Sequence, residues 1–272
     1  MSRGLTRSQR VGRGFVNAVA AAAMLYVFLP IFVIVLFSFN KPKGKFNIVW
    51  QEFTLSNWAH PFVESELTGA LWVSLRIAVI ATLCSTVLGS MIAVALSRYS
   101  FKGREGVNLF LVLPLTSPEI VLGSSLATLF IDRGVGFGYA TVVIAHIMFQ
   151  VSFVALTVRA RIRGFDWTLE QAAMDLGASP TRAFWKVTFP LILPGILAAA
   201  LLSFALSIDD FIITFFNAGS LITFPLQIFS ASRVKIPPQI NVLASMLLLV
   251  SVAVMGAGAF VGARRRRRME TA

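Results

Sequence analysis

The sequence predicts an all-α membrane protein with six transmembrane helices and both termini in the cytoplasm. Three observations carry that prediction. The 272 residues are 57% hydrophobic and only 13% charged, with a mean hydropathy of +0.79, whereas soluble domains run near ~45–50% apolar and ~25% charged. Apolar stretches long enough to cross a hydrocarbon core ~30 Å thick, about 20 residues each, recur along the chain. The 24 Lys and Arg residues, set against 12 Asp and Glu, fall mostly in alternate connecting segments, as the positive-inside bias requires.

The expected spans are residues 15–39, 70–96, 107–131, 138–158, 191–216 and 241–262. The first follows Arg3, Arg7, Arg10 and Arg13 in the manner of a signal peptide, but its apolar stretch is too long for a cleaved one, so it is read as a retained span. With the N-terminus inside, the inner segments hold those four arginines, then Arg98, Lys102 and Arg104, then Arg159, Arg161, Arg163, Arg182 and Lys186, then the arginine run 264–268. Outside stand only Lys41, Lys43, Lys45, Arg133, Arg233 and Lys235. The basic excess is thus a topology signal, and the partner it implies is the lipid bilayer and not nucleic acid. The chain reads as a basic N-terminus (1–14), one membrane domain (15–262) and a basic C-terminus (263–272), with no internal repeat.

The loops are unequal. The outer loop 40–69 carries Trp50, Trp58, His60, Glu52, Glu64 and Glu66, and most of it can lie at headgroup level, where Trp is favoured. The inner loop 159–190 is too polar to span and too patterned for a linker. Thr168, followed three residues on by Gln171, opens a short helix, and Gly177 with Ala178-Ser179-Pro180 closes it. A second helix starts near Pro180, where a missing N–H costs nothing.

Several chemistries are excluded. Cys84 is the only cysteine, so there is no internal disulfide, and with only His60 and His146 beside it no zinc set assembles. The sole Gly-Lys, Gly44-Lys45, precedes Phe46 and forms no P-loop, so any ATP must be hydrolysed elsewhere. There is neither a G-x-S-x-G elbow nor an H-E-x-x-H helix.

Ionisable residues inside the spans are functional candidates by default. They are Arg76, Glu119, Asp209 and Asp210, placed by a ~1.5 Å rise per residue in the middle or outer part of the membrane. Pro114 and Pro118 predict a kinked or unwound third span beside Glu119, and broken helices at membrane depth are tolerated where they line a cavity. The acidic excess of these four suits a small cation. A purely structural role is the competing reading: Asp209 or Asp210 as a helix cap or a partner of Arg76, and Glu119 as an acceptor for backbone freed by the prolines. Phe204, Phe211, Phe215 and Phe216 read as packing or lipid-facing groups, and Gly258 with Gly262 as a close-contact pair.

Ala172-Ala173, three residues, Gly177, nine residues, Val187, one residue, Phe189-Pro190 resembles the EAA loop of ABC importer membrane subunits, whose pattern is Glu-Ala-Ala, three residues, Gly, nine residues, Ile, one residue, Leu-Pro. Gln171 stands where that pattern has Glu, with Glu170 one residue earlier. The resemblance implies a MetI-like ABC importer permease fold and a coupling helix of Glu170, Gln171, Ala172, Ala173, Asp175 and Gly177 docked in a groove of an ATPase subunit. It also implies a chain that is no enzyme and has no cofactor of its own, ATP and Mg being bound by two partner ATPase subunits. Pro118-Glu119-Ile120, Ser207-Ile208-Asp209-Asp210, Phe224-Pro225-Leu226, Ser230-Ala231-Ser232-Arg233 and Pro238-Gln239-Ile240-Asn241 further resemble the spermidine/putrescine (PotC and PotI) branch. That branch implies a bacterial inner-membrane subunit, paired with a second homologous permease and fed by an extracytoplasmic substrate-binding protein. Polyamines would then pass Glu119, Asp209 and Asp210. A permease for a sugar, phosphonate, iron complex or oxyanion would share the loop but need no acidic lumen, and a non-transport scaffold would need neither.

Overall fold

A computed structural model describes residues 7–270; the first six residues of the basic N-terminus and the last two of the C-terminus lie outside it. Among the described residues there are helices and two isolated β-bridges but no strand. Four helices are long and apolar enough to cross a membrane: Arg13–Phe37, Ser65–Arg98, Tyr139–Ile162 and Pro180–Asp209. A fifth span results if the bent pair Arg104–Thr116 and Glu119–Asp132 counts as one, and Pro238–Ala253 is a shorter apolar stretch.

The chain divides into two compact units, residues 1–68 with 230–272, and residues 69–229. In the first, α1 (Arg7–Phe37) packs along α12 (Pro238–Glu270). The outer loop between α1 and α3 (Ser65–Arg98) is a hydrogen-bonded knot rather than a loose interfacial strip. Its hub is the fully buried Asn40. Asn40 donates to Asn47 Oδ1 (2.7 Å) and to the Val49 carbonyl (2.9 Å) and accepts from the Gln51 N–H (2.8 Å). Asn57, on the single turn α2 (Ser56–Ala59), donates to the carbonyls of Ser38 and Asn40. Phe39 stacks on both Phe53 and Trp58, and the Trp58 indole donates to Ser38 Oγ. The side-chain amides thus satisfy backbone that the turns leave unpaired.

The second unit contains most of α3, then α4 (Arg104–Thr116), α5 (Glu119–Asp132), α6 (Tyr139–Ile162), α7 (Thr168–Asp175), α8 (Pro180–Ala183), α9 (Phe189–Asp209), α10 (Ile212–Asn217) and the start of α11 (Phe224–Val234). Its centre is α6 against α9, with α10 wedged between α5 and α6. Ala93, Val154, Val158, Ile162, Ile192 and Ala199 form a core cluster there. Small residues set the spacing: a Cβ on Gly89 of α3 would stand 2.7 Å from Val154 Cβ. Deeper in, the buried Ser85, Gln150 and Ser203 bond to one another across α3, α6 and α9, as buried polar groups require.

The two proline-rich stretches behave differently. Ser117 and Pro118 adopt extended backbone (ψ 139° and 133°), ending α4 and starting α5 at 110° to it. This is the expected break, because Pro118 has no N–H to continue the ladder and disfavours α-helix at the residue before it. At Pro190 the helix instead widens. The proline ring presses on the carbonyl four residues earlier and leaves it without a donor, and a π-helical turn, Phe184–Thr188, joins α8 to α9.

The fifth span departs from expectation. Instead of one helix through 216, α9 stops at Asp209, Asp210 is extended (φ −63°, ψ 121°), and α10 begins at Ile212. Asp209 and Asp210 therefore do not stand on successive positions of one helix.

Candidate functional site: an acidic cavity and an inner-loop helix

The two breaks meet. Glu119, the first residue of α5, sits at a helix N-terminus, where a carboxylate is electrostatically favoured. Asp209 ends α9, and Asp210 links it to α10. All three carboxylates line one cavity of about 320 Å³, with Phe149, Leu206, Phe211 and Ile212 completing its wall. Glu119 and Asp209 are exposed, whereas the Asp210 side chain is 7% exposed. Arg76, the fourth expected member, is not in the cavity wall; it lies exposed on α3 and forms no ion pair among the described residues. Of the phenylalanines, Phe211 stacks with Phe215 and meets Phe229 at a tilt, which is packing, but it also lines the cavity.

Sequence reading misses His146. It is buried on α6, and its Nε2 lies 3.2 Å from Asp210 Oδ2 and 2.9 Å from Thr214 Oγ1, while Nδ1 lies 2.7 Å from Ser207 Oγ. A histidine in an apolar stretch carries no spacing signal; only the fold shows that it faces the carboxylate. Asp210 is also the cap of α10, its Oδ2 accepting from the Thr214 N–H (2.8 Å) and hydroxyl (2.7 Å).

On the other face, α7 occupies the inner loop. Its opening cap is Asp166, whose Oδ1 accepts the Thr168 N–H at 3.0 Å, and not the Thr168 hydroxyl that the spacing predicts. The Thr168 hydroxyl and N–H hold the Asp166 carboxyl below the usual carboxylate range. The end is as expected: Gly177 is left-handed (φ 87°), the Ala178 N–H reaches the Ala173 carbonyl at 3.0 Å, and the Gly177 N–H reaches that of Met174 at 2.9 Å. Ser179 then caps α8, with Pro180 in its first turn.

The helix has two faces. Gln171, Ala172, Asp175 and Leu176 point out, Leu176 being 90% exposed. Ala173 is half-buried, and Glu170 is turned in and buried. Glu170 Oε1 pairs with Arg98 Nη2 at 2.8 Å, and its Oε2 accepts from Thr188 Oγ1 at 2.7 Å. The Arg98 guanidinium also lies over the rings of Tyr99 and Trp167. The acid displaced by one position from the usual pattern is thus an internal tie between α3, α7 and the π turn.

A helical membrane protein with a Gly-elbowed loop helix and a broken-helix cavity defines a class, and the sequence comparison assigns it. The chain belongs to the family of binding-protein-dependent transport system inner membrane components, whose match covers residues 85–267. Such a protein is a non-enzymatic, multi-pass subunit of an ABC transporter. Among relatives, the chain is 37% identical over 243 residues to the spermidine/putrescine transport system permease protein PotC of Escherichia coli, covering 89% of this chain and 90% of that one. The PotC protein of Haemophilus influenzae is 34% identical, covering 88% and 93%. The putrescine transport system permease protein PotI of Escherichia coli is also 34% identical, covering 85% and 84%. Among solved structures, a subunit of a bacterial ABC transporter importing the acidic polysaccharide alginate superposes with a TM-score of 0.63 at 17% identity, covering 94% of this chain and 99% of that one. The MetNI methionine ABC transporter gives 0.60 at 18% identity, covering 72% and 94%. The fold is that of ABC importer permeases.

Proposed function

We propose that this chain is one half of the membrane pathway of a polyamine importer in the bacterial cytoplasmic membrane. The observation that carries the reading is the cavity in which Glu119, Asp209 and Asp210 converge at two helix breaks. A second homologous permease completes the pathway, and six spans place both termini in the cytoplasm. An extracytoplasmic binding protein delivers spermidine or putrescine. The cation exchanges its water for carboxylates at membrane depth, where the low dielectric strengthens the attraction, and the rings of Phe149 and Phe211 flank it.

Movement comes from outside the chain. Two ATPase subunits, which hold ATP and Mg, grip α7 through the outward face of Gln171, Ala172 and Asp175, while Ala173 and the Gly177 elbow keep the helix low against the span ends. The small side chain of Ala172 allows close approach. When the ATPases close, the favoured spacing of the docking helices changes and the spans follow, because a ligand shifts a two-state equilibrium by its differential affinity. The Glu170 tie to Arg98 and Thr188 makes α7 move as one piece with α3 and α9.

The test is uptake of labelled spermidine and putrescine in cells lacking this gene and every redundant system, then restored with the wild type or the Glu119→Gln, Asp209→Asn double variant. Loss on deletion, rescue by the wild type and failure of the variant at equal membrane level are the expected results. Rescue by the double variant would take the cavity off the pathway, and unchanged uptake on deletion would end the polyamine assignment.

A further inference from the structure

Three carboxylates line the cavity, but they are not equivalent. Asp210 Oδ2 already receives the Thr214 N–H, the Thr214 hydroxyl and the His146 ring. His146 is itself enclosed, its side chain 3% exposed. It touches both sides of the break, Ser207 on the last turn of α9 and Thr214 on α10. The proton pattern is fixed by Thr214. Its one hydroxyl proton goes to Asp210, so towards His146 it can only accept, and Nε2 must carry the proton. Nδ1 lies within hydrogen-bond distance of the Ser207 hydroxyl, 2.7 Å away. Ser207, His146, Asp210 and Thr214 form one connected network across α6, α9 and α10.

We infer that His146 is a positioning residue which locks Asp210 into the wall as the clasp of the α9–α10 break, leaving Asp209 and Glu119 as the carboxylates that meet the cargo's ammonium groups. The physical need is plain. A helix interrupted at membrane depth frees backbone donors and acceptors that lipid cannot satisfy. Asp210 supplies the acceptor for α10, and a buried carboxylate in turn needs donors around it. Without the ring, Asp210 loses its donor from α6 and turns toward the cavity, where it adds a third negative charge beside Asp209. The assignment of cargo to Asp209 and Glu119 rests on the polyamine reading; the clasp does not.

The assembled transporter in membranes, treated with a water-soluble carbodiimide and an amine nucleophile and read residue by residue by peptide mass spectrometry, separates the two. In the wild type, Glu119 and Asp209 should be modified at least tenfold faster than Asp210. In His146→Leu, Asp210 should become as reactive as Asp209, and in His146→Gln, which keeps a side-chain N–H, it should stay protected. Equal reactivity of Asp209 and Asp210 in the wild type, or an Asp210 indifferent to His146→Leu, would overturn the clasp. If His146→Leu does not accumulate, the wild type and His146→Gln decide: in both, Asp210 should stay at least tenfold less reactive than Asp209, and Asp209→Asn should raise the KM for spermidine about tenfold. Equal reactivity of the two aspartates in either protein refutes the division of roles. Protection of Asp209 and Glu119 by added spermidine supports the cargo assignment; a clasp that behaves as described without such protection would sink that assignment alone.

Discussion

Glu170 offers the sharpest test of how α7 is held. Its side chain is 3% exposed and that of Arg98 30%. Removing one partner of a buried ion pair costs about 3–5 kcal/mol, and the partial hydration of Arg98 lowers this to about 2–3 kcal/mol for Glu170→Ala, since the guanidinium keeps water and the Trp167 ring. Arg98→Ala should cost more than Glu170→Ala, because it strands a buried carboxylate whose remaining partner among the described residues is the Thr188 hydroxyl. The double variant should then be milder than the sum, with a coupling energy above about 1 kcal/mol. The assay is denaturant unfolding of the purified complex in mixed micelles for all four proteins, alongside uptake per ATP hydrolysed. Strict additivity, within about 0.5 kcal/mol, would refute the tie. Preserved uptake per ATP in Glu170→Ala would refute its mechanical part even if stability fell.

Three further outcomes are expected. Gly177→Ala should destabilise by about 1–2 kcal/mol through its left-handed backbone alone, since a Cβ there meets nothing within 4 Å; Gly177→Asp should in addition abolish co-purification of the ATPase. Gly89→Leu should cost about 1–3 kcal/mol or more in a denaturant titration through overpacking against Val154, with Val154→Ala partly restoring stability. The carboxyl of Asp166 is held low by bonds that exist only in the folded loop, so its capping is complete above the ordinary carboxylate range and fades as pH falls through its lowered value. Amide exchange in α7, corrected for intrinsic rate, should therefore accelerate at acid pH in the wild type and show no such step in Asp166→Asn.

Four of the apolar spans, a fifth with a bend in it, and the break at Pro118 were legible because each rests on local chemistry, hydropathy in one case and a missing N–H in the other. The end of α9 was not. Ser207-Ile208-Asp209-Asp210-Phe211-Ile212 contains neither proline nor glycine, and the helix stops there because His146 on α6 and Thr214 on α10 claim the Asp210 carboxylate. Arg76 illustrates the converse: an intramembrane charge is conspicuous in sequence, but the side of α3 it occupies is decided by packing. Gln171 stands where the family pattern has its acid. The fold turns Glu170 inward to Arg98 instead, a pairing between residues far apart in the chain.

The π turn Phe184–Thr188 also sets a phase. One extra residue in a helical turn advances every later side chain by about 100°. With it, Thr188 points at Glu170 while Trp185, 57% exposed, points away. Deleting one residue of the turn would rewind it to α-helix and rotate α8 and α7 relative to α9 by roughly a quarter turn. The join between α7 and α9 therefore works as an angular key: the two ends stay in step only while that single surplus residue is kept.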